Sequence, residues 1–507
     1  MMKTKKTLMT AVALCMAAMV MLAGCSKSTN SSSTTGTKTA ETTATTATTS
    51  LEPYAIDWYI ACDGTTKDAD AVSQAISDLP QVKAINATIK LHFMTVGDYG
   101  KKLDMMLASG EKLDILSSFA WAEPYNQNVA KGNFLEVTPL LDKVAPQYKS
   151  ALPQILLDAC KINGKVYGLP TIKEIGASFG FVVRKDIADS IGMDGTALKN
   201  IDDFAAFVEK AHKQDSNLGI TGFFQNGISF SNVVQVGGWG YGVYKYDDKS
   251  AKVYNLFDDP DFLHYSKVMH QLYTDGCVLK ESTISGFDIS KFGDRIIGVT
   301  DSLKPGINVQ VEGQVYNNKY KCVVSTATPI YFDTANATTV MNAISRTSED
   351  PERAMMFLQL ANTDEQVCNM INFGIEGKHY TKTGSKNIEI NPDAAYNPGE
   401  TWGISNNLLC YYVPGQQDGL WDEYRDFNKG AIPSPTLGFS FDTTPVKTEV
   451  GACNNVIATF NTAISSGMLN PDTDYPKIKA KLQQAGMDKI IDEEQKQIDA
   501  WKASNSK

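Results

Sequence analysis

Acidic and histidine side chains are the residues of this sequence best suited to hydrolytic chemistry, and their spacing argues against it. Adjacent acids do not face each other across a substrate as glycosidase carboxylates must; the pairs here are Asp202-Asp203, Asp258-Asp259 and Asp422-Glu423. His264 and His270, six residues apart, fall on different faces of a helix. The chain has no His-Glu-x-x-His or Gly-x-Ser-x-Gly motif. We therefore expect a protein that is not an enzyme and that uses no cofactor and no metal.

Tryptophans beside loop-type residues suggest binding rather than catalysis. The residues in question are Trp58, Trp121, Trp239, Trp402 and Trp421. Sugar rings present apolar C–H faces that stack on aromatic rings, while their hydroxyls need Asp, Glu, Asn or Gln as partners. The stretches 118–121 and 171–174 combine these residue types at predicted strand ends. The alternative is that each tryptophan is simply a core residue.

A glycine-rich stretch at 237–242 surrounds Trp239 and Tyr241. It lacks the Gly-x-Gly-x-x-Gly order of a dinucleotide-binding loop. It is either a loop that lets the two aromatic rings approach a ligand or a plain turn.

Composition limits the class of protein. Apolar residues make up 43% and charged residues 21%, as in an ordinary globular chain, which excludes collagen, a wholly disordered chain and a polytopic membrane protein. The formal net charge is −10, and loss of the lysines in the leader would make it more negative. An acidic chain gains no counterion-release affinity for nucleic acid, so we expect no nucleic-acid partner.

The amino terminus has the pattern of an export signal. Lys3, Lys5 and Lys6 precede an apolar run, 8–22, which is shorter than the roughly 20 residues of a spanning helix. The run ends in Leu-Ala-Gly before Cys25, which resembles the lipobox of bacterial lipoproteins. This resemblance implies a signal peptide at 1–24 and a lipid on the Cys25 thiol. The alternative is an ordinary secretory signal with an accidental cysteine.

Residues 25–51 are rich in Ser, Thr and Ala, and such a segment cannot bury enough apolar surface to fold. We predict a flexible tether between the membrane and a folded body. Beyond Cys15 and Cys25, seven cysteines are spread through the body without metal-ligand spacing, which favours small buried side chains over a zinc site. A disulfide is possible but its pairing is not predictable.

The body alternates strand and helix patterns, which predicts an α/β fold with a largely parallel first sheet. Ligands of such sheets lie beyond the carboxyl ends of the strands. The predicted strands are 56–60, 89–93, 113–116, 179–183, 219–224, 295–300, 322–324 and 340–344, and the predicted helices include 68–79, 99–107, 201–212, 262–273, 351–360, 475–485 and 487–501.

Seven stretches together resemble a known family: 98–116, 121–146, 162–174, 179–186, 372–382, 411–428 and 434–450. The chain resembles extracellular solute-binding proteins of the maltose-binding-protein type, which serve ABC importers. Within that type, it more closely resembles large Gram-positive lipoproteins whose C-terminal part is a domain of unknown function. The resemblance covers about 52–502.

The resemblance implies a two-lobed, periplasmic-binding-protein-like α/β fold of type II, with a ligand cleft between hinge-linked lobes. The first lobe would comprise 52–170 plus about 334–430, and the second about 177–324 plus about 440–507. The chain would cross between them near 170–176, 325–333 and 430–440.

The same resemblance implies ligand-binding positions. Asp63 would accept sugar hydroxyls, Phe119 and Trp121 would form a stacking wall, and Glu174 would be a polar anchor. Gln225 and Trp239 would face the cleft from the second lobe. Asp301 stands where the family often has an aromatic residue, and Phe439 could stack at the third crossing. These candidates are Asp63, Phe119, Trp121, Glu174, Gln225, Trp239, Asp301 and Phe439.

The function that this resemblance implies is delivery of a carbohydrate, and specifically an oligosaccharide, to an ABC permease. We expect a monomer, anchored by lipid to the outer face of a bacterial, Gram-positive cell membrane. Three alternatives remain: a receptor for peptide or another solute, a surface enzyme acting on glycan, and an adhesion or sensor module.

Overall fold

Strands and helices alternate along most of the chain, as an α/β fold requires. The structure is a computed structural model that describes residues 51–222, 226–238, 241–284 and 287–505. Cys25, Gln225 and Trp239 therefore lie outside the described residues.

Within the described ranges the strands are numbered β1 to β17 in chain order: Tyr54–Ala61, Thr65–Thr66, Ala87–Met94, Ile115–Phe119, Leu169–Pro170, Ser178–Arg184, Val233–Gln235, Gly242–Lys245, Tyr254–Asn255, Gly298–Leu303, Cys322–Thr326, Tyr331–Phe332, Val340–Ile344, Tyr380–Lys382, Ile388–Ile390, Tyr396–Asn397 and Ile432–Pro433. The α-helices of the same ranges are α1 to α20: Ala69–Ser77, Pro80–Ala84, Val96–Ser109, Tyr125–Ala130, Thr138–Val144, Pro146–Ala151, Gln154–Ala159, Lys185–Ile191, Ile201–Gln214, Asn226–Ser229, Pro260–Thr274, Ile307–Gln314, Thr334–Ala337, Pro351–Thr363, Glu365–Phe373, Thr401–Ile404, Leu420–Lys429, Lys447–Ser465, Pro471–Ala485 and Met487–Asn505. Short 3-10 helices lie at Leu256–Asp258, Lys280–Thr283, Ile289–Arg295, Asn407–Leu409 and Thr444–Val446.

The largest apolar core is built around a five-stranded sheet of order β3-β1-β4-β13-β5. Strands β3, β1 and β4 are parallel, whereas β13 is antiparallel to both β4 and β5. Every residue of β4 and β13 is buried, because helices cover both faces of the sheet. This core draws on residues 56–175 and 332–424, which we call the first lobe.

Three adjoining apolar cores form the second lobe, drawn from residues 181–322 and 439–498. One sheet of this lobe is antiparallel, with β6 between β10 and β11. A second antiparallel sheet, β7-β8-β9, lies against the C-terminal helices. Helix α19 ends at Ala485, and the next residue, Gly486, has a φ of 102° that starts the turn into α20.

Three chain segments connect the lobes, and they are hydrogen-bonded to one another. Tyr331 of β12 pairs with Ile432 of β17, and Phe332 pairs with Pro433. The Ala177 amide donates to the Tyr331 carbonyl at 2.8 Å. The three crossings therefore form one small bundle of backbone, which concentrates any relative motion of the lobes in a few residues.

Most predicted elements are confirmed, with two corrections. The predicted strands 56–60, 89–93, 179–183 and 340–344 lie within β1, β3, β6 and β13. The stretch 219–224 forms only single bridges, at Gly219 and Ile220, in its described part. Strand β10 begins three residues later than predicted and continues to Leu303, so Asp301 lies within the strand rather than after it. Residues 289–295 form a 3-10 helix instead, capped by the Asp288 side chain.

A network of charges closes the amino edge of the first sheet. Asp114 is fully buried and accepts hydrogen bonds from Tyr54 Oη, Ser348 Oγ and Lys112 Nζ, each at 2.6 Å. Lys112 Nζ also donates to Asp57 Oδ2 at 2.8 Å. These contacts connect β1, the start of β4 and the turn before α14 on the side of the sheet away from its carboxyl edge.

We predict that Lys112→Met lowers the free energy of unfolding by about 3 kcal/mol, because it leaves the buried Asp114 carboxylate without its cation. The matched control is Lys102→Met, which removes an exposed pair with Asp98 and should cost about 0.5 kcal/mol or less. Urea unfolding followed by circular dichroism measures both. Equal losses from the two variants would contradict the role given to Lys112.

Candidate functional site

Three aromatic rings lie together beyond the carboxyl end of β4. Phe119 ends the strand and is buried, whereas the Trp121 side chain is 56% exposed. Trp402 of α16 joins them, with its ring centroid 6.0 Å from that of Trp121 and 6.1 Å from that of Phe119. We call Phe119, Trp121 and Trp402 the aromatic wall. Its most accessible ring is that of Trp121, and the Phe119 ring packs against it with the two centroids 5.2 Å apart.

Trp402 reaches this place through a contact between distant parts of the chain. The two-residue strands β2 and β16 pair antiparallel, Tyr396 with Thr66 and Asn397 with Thr65. Gly64 lies directly against the carbonyl of Pro398, where a Cβ atom would collide with the backbone. The Thr171 hydroxyl also donates to the Trp402 carbonyl at 3.0 Å. The sequence indicated Trp402 as a candidate aromatic residue but not its position in the wall.

Two carboxyl groups lie beside the aromatic wall. Asp63 follows β1 and is exposed, and its Oδ1 accepts a hydrogen bond from the Val96 amide at the start of α3, at 2.9 Å. Glu400 is half-buried; burial raises the pKa of its carboxyl, and the negative charge of Asp63 adds to the increase, while a hydrogen bond with Trp402 opposes it. Both carboxyls can accept hydrogen bonds from hydroxyl groups, and Glu400 was not among the predicted site residues.

A cavity of about 410 Å³ lies between the lobes, beside the aromatic wall. Ala120 and residues of 124–127, 159–162 and 333–338 line it from the first lobe, residues of 234–238 and 439–443 line it from the second, and Ser434 and Thr436 line it from the third crossing. Its polar side chains are amides, hydroxyls and single charged groups: Asn126, Gln127, Lys161, Gln235, Asp333, Thr334, Thr338, Ser434, Thr436, Ser440 and Thr443. We call this the interlobe cavity. Across its rim, Asn126 Nδ2 donates to Ser440 Oγ at 3.3 Å.

Asp333 lies at the wall of this cavity and connects the crossing to the second lobe. Its Oδ1 caps helix α13 by accepting from the Asn336 amide at 2.8 Å, and its Oδ2 accepts from the Tyr246 hydroxyl at 3.0 Å. Burial raises the pKa of the Asp333 carboxyl. The Tyr246 ring stacks on Tyr331 with centroids 3.9 Å apart. A second cavity of about 160 Å³ lies on the other side of Asp333, also lined by Phe179. Sequence analysis singled out none of these residues.

Glu174 lies in the first crossing, between two lysines. Its Oε1 is 3.3 Å from Lys173 Nζ and 3.4 Å from Lys304 Nζ, while its buried Oε2 has no hydrogen-bond partner. Burial raises the pKa of the carboxyl, but the two ammonium groups outweigh it and hold the pKa below its ordinary value. Asp301 is opposite Gly180 in the β10–β6 pair, and burial raises its pKa. Neither residue lines the interlobe cavity, and their binding roles stay predictions.

Phe439 has two environments. It belongs to a second-lobe core, where its ring lies 6.1 Å from Trp501, and it also lines the interlobe cavity. It is 8% exposed, so little of its ring is available for stacking. The structure thus brings Asp63, Phe119 and Trp121 together at one edge, with Phe439 at the adjacent cavity.

Several kinds of site are absent from the described residues. No three His, Cys, Asp or Glu side chains of these ranges gather as metal ligands. The seven body cysteines are all buried and unpaired by disulfides. No described helix is both long and apolar enough to cross a membrane.

Comparison with known proteins identifies the class. Residues 435–503 match a family described as a domain of unknown function, DUF3502. A carbohydrate ABC transporter substrate-binding protein of Streptococcus pneumoniae is 26% identical over 437 residues, which cover 82% of this chain and 85% of the relative. The chain is a homologue of ABC-transporter substrate-binding proteins. The predicted resemblance is therefore confirmed.

Two further relatives extend the comparison. Lipoprotein LipO of Bacillus subtilis is 22% identical to this chain over 432 residues. The matched region covers 77% of this chain and 83% of LipO. The crystal structure of the N-glycan transport solute binding protein NgtS from Streptococcus pneumoniae superposes with a TM-score of 0.78 at 24% identity, over 90% of this chain and all of the other. The two-lobed α/β fold is confirmed by this agreement.

We predict that Gly64→Ala lowers the free energy of unfolding by about 2 kcal/mol, because the added Cβ collides with the Pro398 carbonyl and separates β2 from β16. Gly97→Ala is the matched control, because a Cβ atom at this position meets nothing within 4 Å. Since Gly97 lies in helix α3, where alanine is favoured over glycine, the free energy of unfolding should be unchanged or rise by up to about 1 kcal/mol. Thermal unfolding followed by circular dichroism compares the two variants with the parent protein. A harmless Gly64→Ala would show that the β2–β16 contact is not needed to hold the wall.

Proposed function

We propose that this substrate-binding protein homologue binds an oligosaccharide between its lobes and delivers it to an ABC importer. The observation that carries the proposal is the exposed ring of Trp121, backed by Phe119 and Trp402, at the mouth of a cavity lined by amides and hydroxyls. An aromatic face suits the C–H surface of a sugar ring, and the polar side chains suit its hydroxyls. Peptide and other solutes remain the alternative ligands.

The arrangement supports a ligand longer than one sugar. Ala120 lines the cavity, and the next residue, Trp121, belongs to the wall, so a ligand that touches both extends along the cleft. The cavity volume of about 410 Å³ lies within the ordinary range for ligand sites, about 300–1,000 Å³. The N-glycan transport for which the pneumococcal structure is named makes oligomannose glycans the first class to test.

The proposed role is binding without turnover. The homologues are substrate-binding proteins, and transport proteins of this kind release their ligand unchanged. We further propose lobe limits of 52–170 plus about 334–430 and about 177–324 plus about 440–507, a monomeric body, and a tether at 25–51. The anchor would be a lipid on Cys25, at the outer face of a Gram-positive cell membrane. The relative LipO is named a lipoprotein, which supports this proposal.

We predict that Trp121→Ala weakens binding of the preferred glycan by at least tenfold, about 1.4 kcal/mol, because it removes the exposed stacking face. Met105→Ala, an equally exposed apolar side chain on α3 of the same lobe, should leave the dissociation constant unchanged. Isothermal titration calorimetry of residues 52–507 would test Man5GlcNAc, maltooligosaccharides and peptides. Peptide binding with silence from all sugars would overturn the carbohydrate proposal, and glycan turnover would overturn the non-enzymatic one.

We predict that Cys25→Ser, made in the full chain expressed in a Gram-positive host, abolishes fatty-acid labelling and releases the protein from the membrane fraction. The leader contains a matched control, Cys15→Ser, which should change neither result. Metabolic labelling with a fatty acid measures the lipid on each variant, and cell fractionation measures its association with the membrane. Equal labelling of Cys25→Ser and the parent protein would exclude Cys25 as the anchor.

A further inference from the structure

A buried carboxylic acid lies behind the second-lobe wall of the interlobe cavity. Glu494 lies in the middle of α20 and is 0% exposed. Neither of its carboxyl oxygens has a side-chain partner, and the backbone amide of Gly242 lies near them. Its surroundings are the apolar side chains of a second-lobe core, among them Val253 and Phe441. Burying a carboxyl group without a hydrogen-bond partner costs free energy, so its presence here calls for an explanation.

The carboxyl group points at the backbone that forms the cavity wall. A Cβ atom on Gly237 would lie 2.6 Å from Glu494 Oε1, and one on Gly242 would collide with Oε2. Gly237 and Gly238 line the interlobe cavity, and the Val236 amide donates to the Gly242 carbonyl at 3.1 Å. We call Gly237, Gly238 and Gly242 the glycine wall. Because these residues have no side chains, only one layer of backbone separates the acid from the cavity at Gly237.

The charged groups around Glu494 do not neutralise it. The elements packed against α20, and the loops that adjoin them, carry these titratable and charged side chains: Tyr241, Tyr244, Lys245, Lys252, Tyr254, Asp442, Lys447, Glu449, Cys453, Asp472, Asp474, Tyr475, Lys477, Lys479 and Lys481. Lys245 pairs with Asp259 and Asp261, and Lys479 pairs with Asp258. No lysine of the described ranges forms an ion pair with Glu494.

Tyr241 is the titratable neighbour that responds to Glu494. Burial raises the pKa of its phenol to about 12, and the Cys453 thiol and the Glu494 carboxyl add to that increase. The phenol is therefore neutral near pH 8 and adds no charge beside Glu494. The Gly242 amide is the nearby donor that lowers the pKa of Glu494.

We propose that Glu494 is a positioning residue for ligand retention: its neutral carboxyl lets the glycine wall seat against α20, and its ionisation displaces that wall and loosens the cavity. The part of this proposal that concerns ligand rests on the proposed function. The part that concerns the wall does not.

The physical argument follows from the missing cation. An ionised Glu494 in its present position would be an uncompensated buried charge, and it regains water only if the backbone in front of it moves away. Burial raises the pKa of Glu494 to about 8, with the Gly242 amide opposing. An acid whose pKa is higher in the closed state than in the open one makes opening more favourable as pH rises. The wall should therefore loosen progressively as the pH rises from the ordinary carboxyl pKa of 4.5 to about 8, and a comparison of pH 6.5 with pH 8.5 spans the upper part of this change.

Hydrogen–deuterium exchange of the ligand-free body tests the wall directly. With rates corrected for the intrinsic pH effect, the amides of 234–238 and 242–245 should lose protection at least tenfold between pH 6.5 and 8.5. Glu494→Gln, which stays neutral and keeps the shape, should remove this loss. The matched control is Glu493→Gln, which alters the neighbouring acid paired with Lys496 at 2.7 Å and should behave like the parent protein.

Glu494→Leu is the second variant and should also remove the pH effect, since it carries no charge. The same loss of protection in Glu494→Gln as in the parent protein, or no loss in either, would overturn the proposal. The ligand arm uses Man5GlcNAc as the probe: its dissociation constant should rise at least threefold from pH 6.5 to 8.5 in the parent protein and stay constant in Glu494→Gln. If the exchange effect is found but no glycan binds, the proposed function fails and the wall proposal stands; if glycan binds equally at both pH values, the link to retention is wrong.

Discussion

Strand β13 is hydrogen-bonded along both of its edges, and this pairing dictates the path of the whole chain. Its partners, β4 and β5, come from the first 170 residues, whereas β13 itself is Val340–Ile344. The chain must therefore leave the first lobe, build most of the second, and return. All five residues of β13 are buried, and Asn342 Nδ2 donates to the Ile404 carbonyl at 2.8 Å, so the strand cannot be omitted without opening the core.

The direction of β13 also places the cavity. Because the strand is antiparallel to β4, the segment that enters it arrives at the carboxyl edge of β4. The Ala120 amide donates to the Thr339 carbonyl at 3.0 Å, which fixes the returning chain beside the residue that precedes Trp121. The crossing that contains Asp333 therefore comes next to the aromatic wall. The cavity-lining surfaces of the two lobes and of the crossings therefore meet because β13 lies between β4 and β5 in the first sheet.

The sequence could predict those site residues that follow a strand directly. Asp63 follows β1 and Trp121 follows β4, and the edge rule for α/β sheets brings such residues together. Trp402 could not be placed, since it depends on a pairing of two-residue strands more than 300 residues apart. Asp301 was misplaced because β10 continues three residues beyond the predicted end. Glu494 follows two acidic residues in the sequence, but it lies four residues before Ile498 on the buried side of α20, and α20 packs that side against β8.

The contacts across the cleft differ in strength on its two sides, and this difference has a mechanical consequence. At the rim of the interlobe cavity, one contact is an exposed amide–hydroxyl bond of 3.3 Å from Asn126 to Ser440. Near the hinge, Tyr246 both stacks on Tyr331 and donates to Asp333, and β12 pairs with β17. A weak rim and a firm hinge favour rotation about the crossings over separation of the lobes. A ligand that spans the rim can add contacts there, so the closed arrangement should gain most of its stability from the ligand itself.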